Sequence, residues 1–405
     1  MTSVPNRRDF LVHTATTTAL LGASIVSPRR AKGETTKRLR AGIIGSTGRG
    51  DYGHGVDVAV AKMKQLEVLA VADADEGGRR AARQRTGAAR EYADYHEMFA
   101  KEELDLVAIC PRWIDQHHAM LMESARAGCH VYMEKPFCRT MVECDEVVTA
   151  FQQRNLKLAL AHISQYSPVL SRVQSLIADG VIGEVLELRA RGKEDHRGGA
   201  EDLWVLGSHL FGLMRSLAGG EPRHCSATVT EAGRVITAGD VVDGAEGLGP
   251  LAGDRIEARF AFDRGIDGYF SSRRNMAASP SRFAIQVMGS AGLIEMESGY
   301  LTKAHILRDG SWSPGRSGKN WEVITSAGIG QPEPLGEGTY EAGHMAGIVD
   351  LLDSVEQGRP TRSSAEDGRA IVEMIMAIFE SQRRAAMVPM PLAMREHPLT
   401  QLAGR

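Results

Sequence analysis

L-R-A-G-I-I-G-S-T-G-R-G, running from Leu39 to Gly50 and continued by Asp51, Tyr52, Gly53, His54 and Gly55, is the stretch whose reading decides the fold. Leu39 to Ile44 is an apolar run of strand length, and the glycines behind it let a backbone approach a phosphate closely. A second strand, Leu66 to Ala72, ends at Asp73, 28 residues after Gly45. A carboxylate after that strand can accept from ribose hydroxyls, so strand, glycine loop, helix and acid together read as a dinucleotide site. The order is G-x-x-G-x-G, with Thr47 where the usual G-x-G-x-x-G has its second glycine. Gly45, Thr47, Gly48, Arg49, Gly50 and Asp73 are the candidate cofactor contacts in this region. Asp73 favours NAD, since a carboxylate repels a 2'-phosphate, while Arg49, Arg79 and Arg80 keep NADP open.

Outward from this loop, short apolar runs alternate with helical patterns, the signature of a parallel sheet with crossover helices. Leu104 to Ile109 predicts a strand that runs into Cys110, Pro111, Arg112 and Trp113, and a helix from Gln116 to Ala127 stops at Gly128. His130 to Met133 predicts the next strand, which delivers Glu134, Lys135 and Pro136. Ligands of open parallel sheets collect beyond the carboxyl ends of the strands, so Asp73, Pro111 and Lys135 should converge on one crevice. Trp113, His117, Glu134 and Lys135 complete the cofactor set.

The run A-G-C-H-V-Y-M-E-K-P-F, Ala127 to Phe137, following such a start, resembles the glucose-fructose oxidoreductase/inositol dehydrogenase/MocA family, written Gfo/Idh/MocA. Further pieces match at the Pro168 region, at I-G-E-V (Ile182 to Val185), at G-S-A-G (Gly289 to Gly292) and at E-D-G (Glu366 to Gly368). The resemblance implies an α/β protein: an N-terminal Rossmann domain, and a C-terminal α+β domain on a large open, mainly antiparallel sheet that carries the substrate site. It also implies bound NAD(P), a sugar or polyol substrate and a homo-oligomer. Lys135 matches the family's E-K-P lysine beside nicotinamide and substrate, and His209, in L-G-S-H-L, matches the histidine that often serves as acid or base. Two departures touch that histidine: Val205 stands where D-x-G-x-H has its aspartate, and Gly212 where a second aspartate commonly follows. The loop after Pro111 is also about two residues longer than the family's. The domains expected are 38–160 for the nucleotide and 161–395 for substrate and oligomerisation.

Hydride transfer needs a base for the hydroxyl proton, and histidine suits the task because its ordinary pKa of about 6.5 lies near working pH. Lys135, close to a positively charged ring, would favour its neutral form and relay the same proton. Asp202 to Leu217 reads as one helix, which puts Asp202 and His209 on one face, two turns apart. Asp202 is therefore a substrate-orienting candidate, with helix capping as the competing account. The polar run Lys193 to Gly199 offers Asp195, His196 and Arg197 as readers of substrate hydroxyls, or else is a solvated loop. Tyr166, beside the Pro168 match, is a further substrate-contact candidate. Gly244 to Gly253 reads as a loop over the cleft, and helices are predicted at about Glu341 to Gln357 and Ala365 to Arg384.

Composition removes other classes. In 405 residues the 48 Lys and Arg nearly balance 51 Asp and Glu, which argues against a nucleic-acid partner. The five cysteines form no C-x-x-C pair, so neither a disulfide framework nor a metal site is expected. The 44 glycines, about 11% against a usual 7%, cluster in the phosphate loop and around Gly198 and Gly244 to Gly253. Residues 6 to 11, N-R-R-D-F-L, resemble a twin-arginine export motif, and residues 1–31 are read as its signal, giving a periplasmic protein, or a cytoplasmic one if the signal is unused. The stretch after Phe10 carries His13 and several threonines, too weakly apolar for a stable membrane anchor. Outside the cytoplasm no free NAD pool is expected, which favours tightly bound cofactor and redox-neutral turnover. Three functions follow in order: a sugar or polyol oxidoreductase, an NAD-assisted glycoside hydrolase or lyase that oxidises transiently, and a non-catalytic sugar or nucleotide sensor.

Overall fold

β1, Leu39–Ile44, has the bounds its sequence predicts, and in the computed structural model, which describes residues 38–336 and 338–404, it lies at the centre of a six-stranded sheet. The twin-arginine segment lies outside the described residues. β2 (Leu66–Ala72), β3 (Arg90–Tyr92), β4 (Leu106–Ile109), β5 (His130–Met133) and β6 (Leu158–Leu160) complete the sheet in the order β3-β2-β1-β4-β5-β6. Every pair in it is parallel. Five helices make the connections: α1 (Val56–Lys62), α2 (Glu76–Thr86), α3 (Tyr95–Lys101), α4 (His117–Ala127) and α5 (Met141–Gln153). β4 and β5 are apolar and almost wholly buried because helices cover both faces. α4 ends where predicted, on Gly128 in the left-handed conformation. The strand order reverses beside β1, which opens a crevice at the carboxyl ends of β1 and β4.

α6 (Pro168–Ala178) leads into β7 (Val185–Arg191), the first strand of the second sheet. After α7 (Ala200–Val205) and α8 (Gly207–Ala218) come β8 (His224–Glu231), β9 (Arg234–Val235), the hairpin β10 (Val242–Gly244) and β11 (Gly249–Leu251), β12 (Arg255–Ala261) and β13 (Asp267–Arg273). β14 (Ala284–Gly289), β15 (Gly292–Glu297), β16 (Ala304–Leu307), β17 (Glu322–Thr325) and β18 (Gly328–Ile329) follow. α9 (Pro314–Ser317), α10 (Tyr340–Gln357), α11 (Ala365–Arg384), β19 (Val388–Pro389) and α12 (Pro398–Leu402) complete the elements. The large sheet runs β18-β17-β16-β15-β14-β7-β13-β12-β8-β19, with β9 on β8. All its pairings are antiparallel except β7 with β13. The α/β class with a large, mainly antiparallel second sheet is thus as predicted.

The second sheet has one covered face, as its alternation requires. In β12, Ile256, Ala258 and Phe260 turn inward, and Arg255, Glu257 and Arg259 turn outward. Phe211 of α8 packs against Phe260 and Phe270 at ring separations of 5.8 and 4.9 Å. Two expectations need correction. The segment from Asp202 to Leu217 is two helices, because Leu206 leaves helical geometry (φ −128°, ψ −42°) and Gly207 opens a new turn against the Phe270 ring. The glycine-rich stretch Gly244 to Gly253 includes part of the β10–β11 hairpin instead of being loop throughout. No described helix is long and apolar enough to cross a membrane, and all five cysteines are buried and free.

Candidate active site

The glycine loop lies at the crevice and is tied down on three sides. Gly45 sits under the Tyr52 ring. Gly48 has a φ of +81° with open space where a side chain would stand, as a loop that receives a ligand's phosphate requires. Gly50, at φ +89°, abuts the Arg112 backbone so closely that a Cβ would fall 2.4 Å from the Arg112 nitrogen. Thr47 donates from Oγ1 (2.8 Å) and from its backbone nitrogen (3.1 Å) to Asp73 Oδ2. Asp73 also accepts from the Asp75 nitrogen and is only 3% exposed. Arg49 lies 4.6 Å above the Trp113 ring and pairs with Asp115, so glycine loop and Pro111 loop brace each other. Arg79 donates to the Asp73 carbonyl and lies near Glu91, while Arg80 pairs with Glu76. All three arginines that kept NADP open therefore have local partners. An open glycine cradle and an acid at the end of β2 fit NAD.

β5 delivers the next group. Glu134 accepts from the His54 nitrogen and Nδ1 through Oε1, and from the Lys135 nitrogen through Oε2. Burial alone would raise the Glu134 carboxyl, but the His54 hydrogen bond and the charges of His54, His344 and Lys135 hold it well below the usual range. Lys135, 6% exposed, donates from Nζ to the Val205 carbonyl at 2.9 Å, which links the first half of the chain to the end of α7. Burial lowers the Lys135 pKa, against the opposing charges of Glu134 and Glu246, and Arg112 and Arg197 lower it further. His117 is a correction to the cofactor set: it is fully buried, with its ring nitrogens 2.8 Å from the Pro136 and Pro111 carbonyls, so it pins the two loops together instead of facing a ligand.

His209 stands half-buried on α8, with Nδ1 lacking a partner among the described residues. Burial pushes its pKa well below the ordinary value, and the charges of His162 and Lys135 act in the same direction. Arg197 clasps Asp195 through two hydrogen bonds (2.7 and 3.1 Å) and its charge acts on Lys135, whereas His196 is exposed. The capping account of Asp202 fails, and so does the shared helix face that tied it to His209. α7 is preceded by Gly199, not by Asp202, and the break at Leu206 removes the shared helix face. Its Oδ2 accepts from Ser272 Oγ at 2.5 Å, and burial pushes its pKa up to about 6 although that bond opposes it. Tyr166 stands apart: its hydroxyl donates to the Leu160 carbonyl, and the ring lines a separate cavity of about 800 Å³ with Asp350 and Arg362.

Four residues around Lys135 were missed. His54 reaches Glu134 from the glycine loop; His162 follows β6; Arg112 and Glu246 bring charges to Lys135. His162 had a usable signal, since it follows a parallel strand as Lys135 does. Glu246 belongs to the β10–β11 turn, where Gly247 lies against Asp115, so this turn closes over the Pro111 loop. Among the described residues no group of three or more His, Cys, Asp or Glu is arranged to hold a metal.

Comparison with known proteins agrees with this layout. Residues 39–162 match the GFO/IDH/MocA oxidoreductase family's NAD-binding Rossmann fold, and residues 170–295 match a GFO/IDH/MocA C-terminal domain. D-apiose dehydrogenase of Paraburkholderia graminis is 24% identical over 90% of this chain and 93% of that protein. Myo-inositol 2-dehydrogenase of Thermotoga maritima is 24% identical over 82% of this chain and 92% of its own length. The structure of a levoglucosan dehydrogenase in complex with NADH and levoglucosan superposes with a TM-score of 0.70 at 20% identity, covering 88% of this chain and all of that one. With a Rossmann crevice, an E-K-P lysine and both domain types in order, the chain belongs to the GFO/IDH/MocA family of NAD-binding oxidoreductases.

Proposed function

We propose that the protein moves hydride between NAD and a carbinol carbon of a sugar or polyol, with His209 and Lys135 handling the hydroxyl proton. The observation that carries this reading is the pairing, at one crevice, of a buried lysine with a histidine whose Nδ1 has no partner. When bound, NAD supplies the hydride acceptor. His209, kept neutral by burial, accepts the proton of the substrate hydroxyl. Lys135 Nζ spends one hydrogen bond on Val205 and keeps its remaining valences for the same oxygen, while Arg197 and Asp195 face substrate from the polar loop. Asp73 and the local partners of Arg49, Arg79 and Arg80 favour NAD over NADP. The relatives' names, D-apiose, inositol and levoglucosan dehydrogenase, support a polyhydroxylated substrate.

The test is a panel of D-apiose, myo-inositol, levoglucosan and D-glucose, run with the protein as purified and with added NAD, reading cofactor absorbance and product mass. At least one member should be turned over, and Lys135→Ala and His209→Ala should each lose about 10²-fold or more, the usual scale of acid–base catalysis. Undiminished turnover in both variants would remove the assignment. Release of a leaving group from a glycoside without net NADH would install the transient-oxidation reading instead.

The export reading joins this proposal: Arg7 and Arg8 send the protein through the twin-arginine route with its cofactor already held. N-terminal sequencing of a periplasmic fraction would find a mature chain starting near Ala31, and retention of residues 1–31 on a cytoplasmic protein would refute it. A homo-oligomer is proposed with it, to be read by light scattering.

A further inference from the structure

His162 follows β6 at the same end of the sheet from which β5 presents Lys135. It is 1% exposed, its Nδ1 lies 3.2 Å from Ser363 Oγ, and its Nε2 has no partner among the described residues. Its ring stands edge-on to His209, with centroids 5.2 Å apart and planes at 80°. His209 contributes a second unpartnered nitrogen, and the charge of Lys135 acts on both rings. His117 satisfies both ring nitrogens between two carbonyls, while His344 and His397 are buried with Nε2 unpartnered, so it is the adjoining pair, and not one free nitrogen, that sets His162 and His209 apart. Two adjoining imidazoles, each with one nitrogen free beside a reactive lysine, are a different arrangement. In the tautomer in which Ser363 Oγ donates to Nδ1, the His162 proton resides on Nε2 and makes that atom a donor. Perpendicular rings this close can reach hydroxyls on neighbouring carbons.

We propose that His162 and His209 together grip a vicinal diol: His209 takes the hydroxyl of the reacting carbon, and His162 Nε2 donates to the hydroxyl of the carbon beside it. This rests on the oxidoreductase reading above and narrows its substrate class to sugars and polyols with a free hydroxyl next to the oxidised position. His162 is here a specificity-determining residue. A site that hydrogen-bonds a hydroxyl rejects the analogue lacking it, because its own buried group is then left unpaired.

The experiment compares the best member of the panel with its monodeoxy analogues, by kcat/KM with NAD and by binding to the NADH-loaded protein followed by fluorescence. Wild type should lose at least tenfold when the adjacent hydroxyl is removed. His162→Ala should treat diol and deoxy analogue alike within about threefold, and His162→Gln, which keeps an amide donor near the Nε2 position, should restore part of the difference. NADH affinity and the thermal midpoint of each variant report whether it is folded. If His162→Ala does not fold, the Gln variant and Ser363→Ala, which frees the ring, are read the same way, and a reduced preference is required of at least one. Wild-type discrimination in the variants removes the grip and leaves the oxidoreductase reading intact. Binding without turnover, with the same loss of discrimination in the variants, keeps the grip and removes the reaction. No binding of any panel member removes both.

Discussion

Single side chains carry the strongest expectations. Asp73 holds the glycine loop through Thr47 and stands just after β2, where a dinucleotide fold carries its ribose-reading acid. Asp73→Ser should weaken NAD binding and raise the ratio of the NAD to the NADP dissociation constant at least tenfold, measured by titration with each dinucleotide; an unchanged ratio would show that preference is set elsewhere. Burial lowers the His397 pKa to about 4 and that of His162 to about 3. Both rings are neutral in the fold, while unfolded histidine takes a proton near pH 6.5, so the unfolded chain binds more protons between those values. Their stabilising contribution is full above about pH 6.5 and is lost as pH falls toward 4 for His397 and toward 3 for His162, at up to about 1.4 kcal/mol per pH unit for each. His397 Nδ1 also accepts from the Leu399 nitrogen as the cap of α12, a task asparagine can take over. His397→Asn should therefore flatten the fall in urea midpoint between pH 7 and 5, and an unaltered slope would clear His397 of the effect.

Elements show which parts of the chain are locally specified. α11 was legible to the residue because Ser364 and Asp367 form a capping box at its start and its apolar positions recur at helical spacing. Ser364→Ala should cost about 1 kcal/mol in chemical denaturation without touching NAD affinity, and a neutral result would mean that packing against β8 and α5 alone sets where the helix begins. β1, β2 and β5 were equally legible, since apolar runs bounded by glycine or charge have few alternatives. The join at Leu206 was not: Leu and Gly in sequence do not announce a break that packing against Phe270 and Asp202 enforces. His54 and Arg112 escaped for a related reason. Each acquires meaning only through partners far along the chain, and an isolated histidine or arginine has no local pattern, whereas the place of His162 after β6 could have been read. Tyr166 shows the converse, a residue chosen for its neighbourhood in sequence whose hydroxyl is committed to Leu160.

At the scale of the whole molecule, the crevice is assembled from both halves: glycine loop, Pro111 loop and E-K-P turn on one side, α8, the polar loop and the β10–β11 turn on the other. A ligand bound to the native form alone adds stability by mass action, so NAD at 100 times its dissociation constant should add about 2.7 kcal/mol. The thermal midpoint should rise by several degrees with NAD and by less with the same concentration of NADP; no shift with either would argue against a preformed cofactor site. The hydrogen bond from Lys135 Nζ to position 205 has a consequence for how such an enzyme can diverge. The acceptor is a main-chain oxygen, which every amino acid provides, so the lysine keeps its anchor whatever side chain occupies that position. Position 205 is thereby released as a variable site next to the reacting atoms, where a lineage, or an engineer installing Val205→Asp, can change the local charge without first dismantling the support of the lysine.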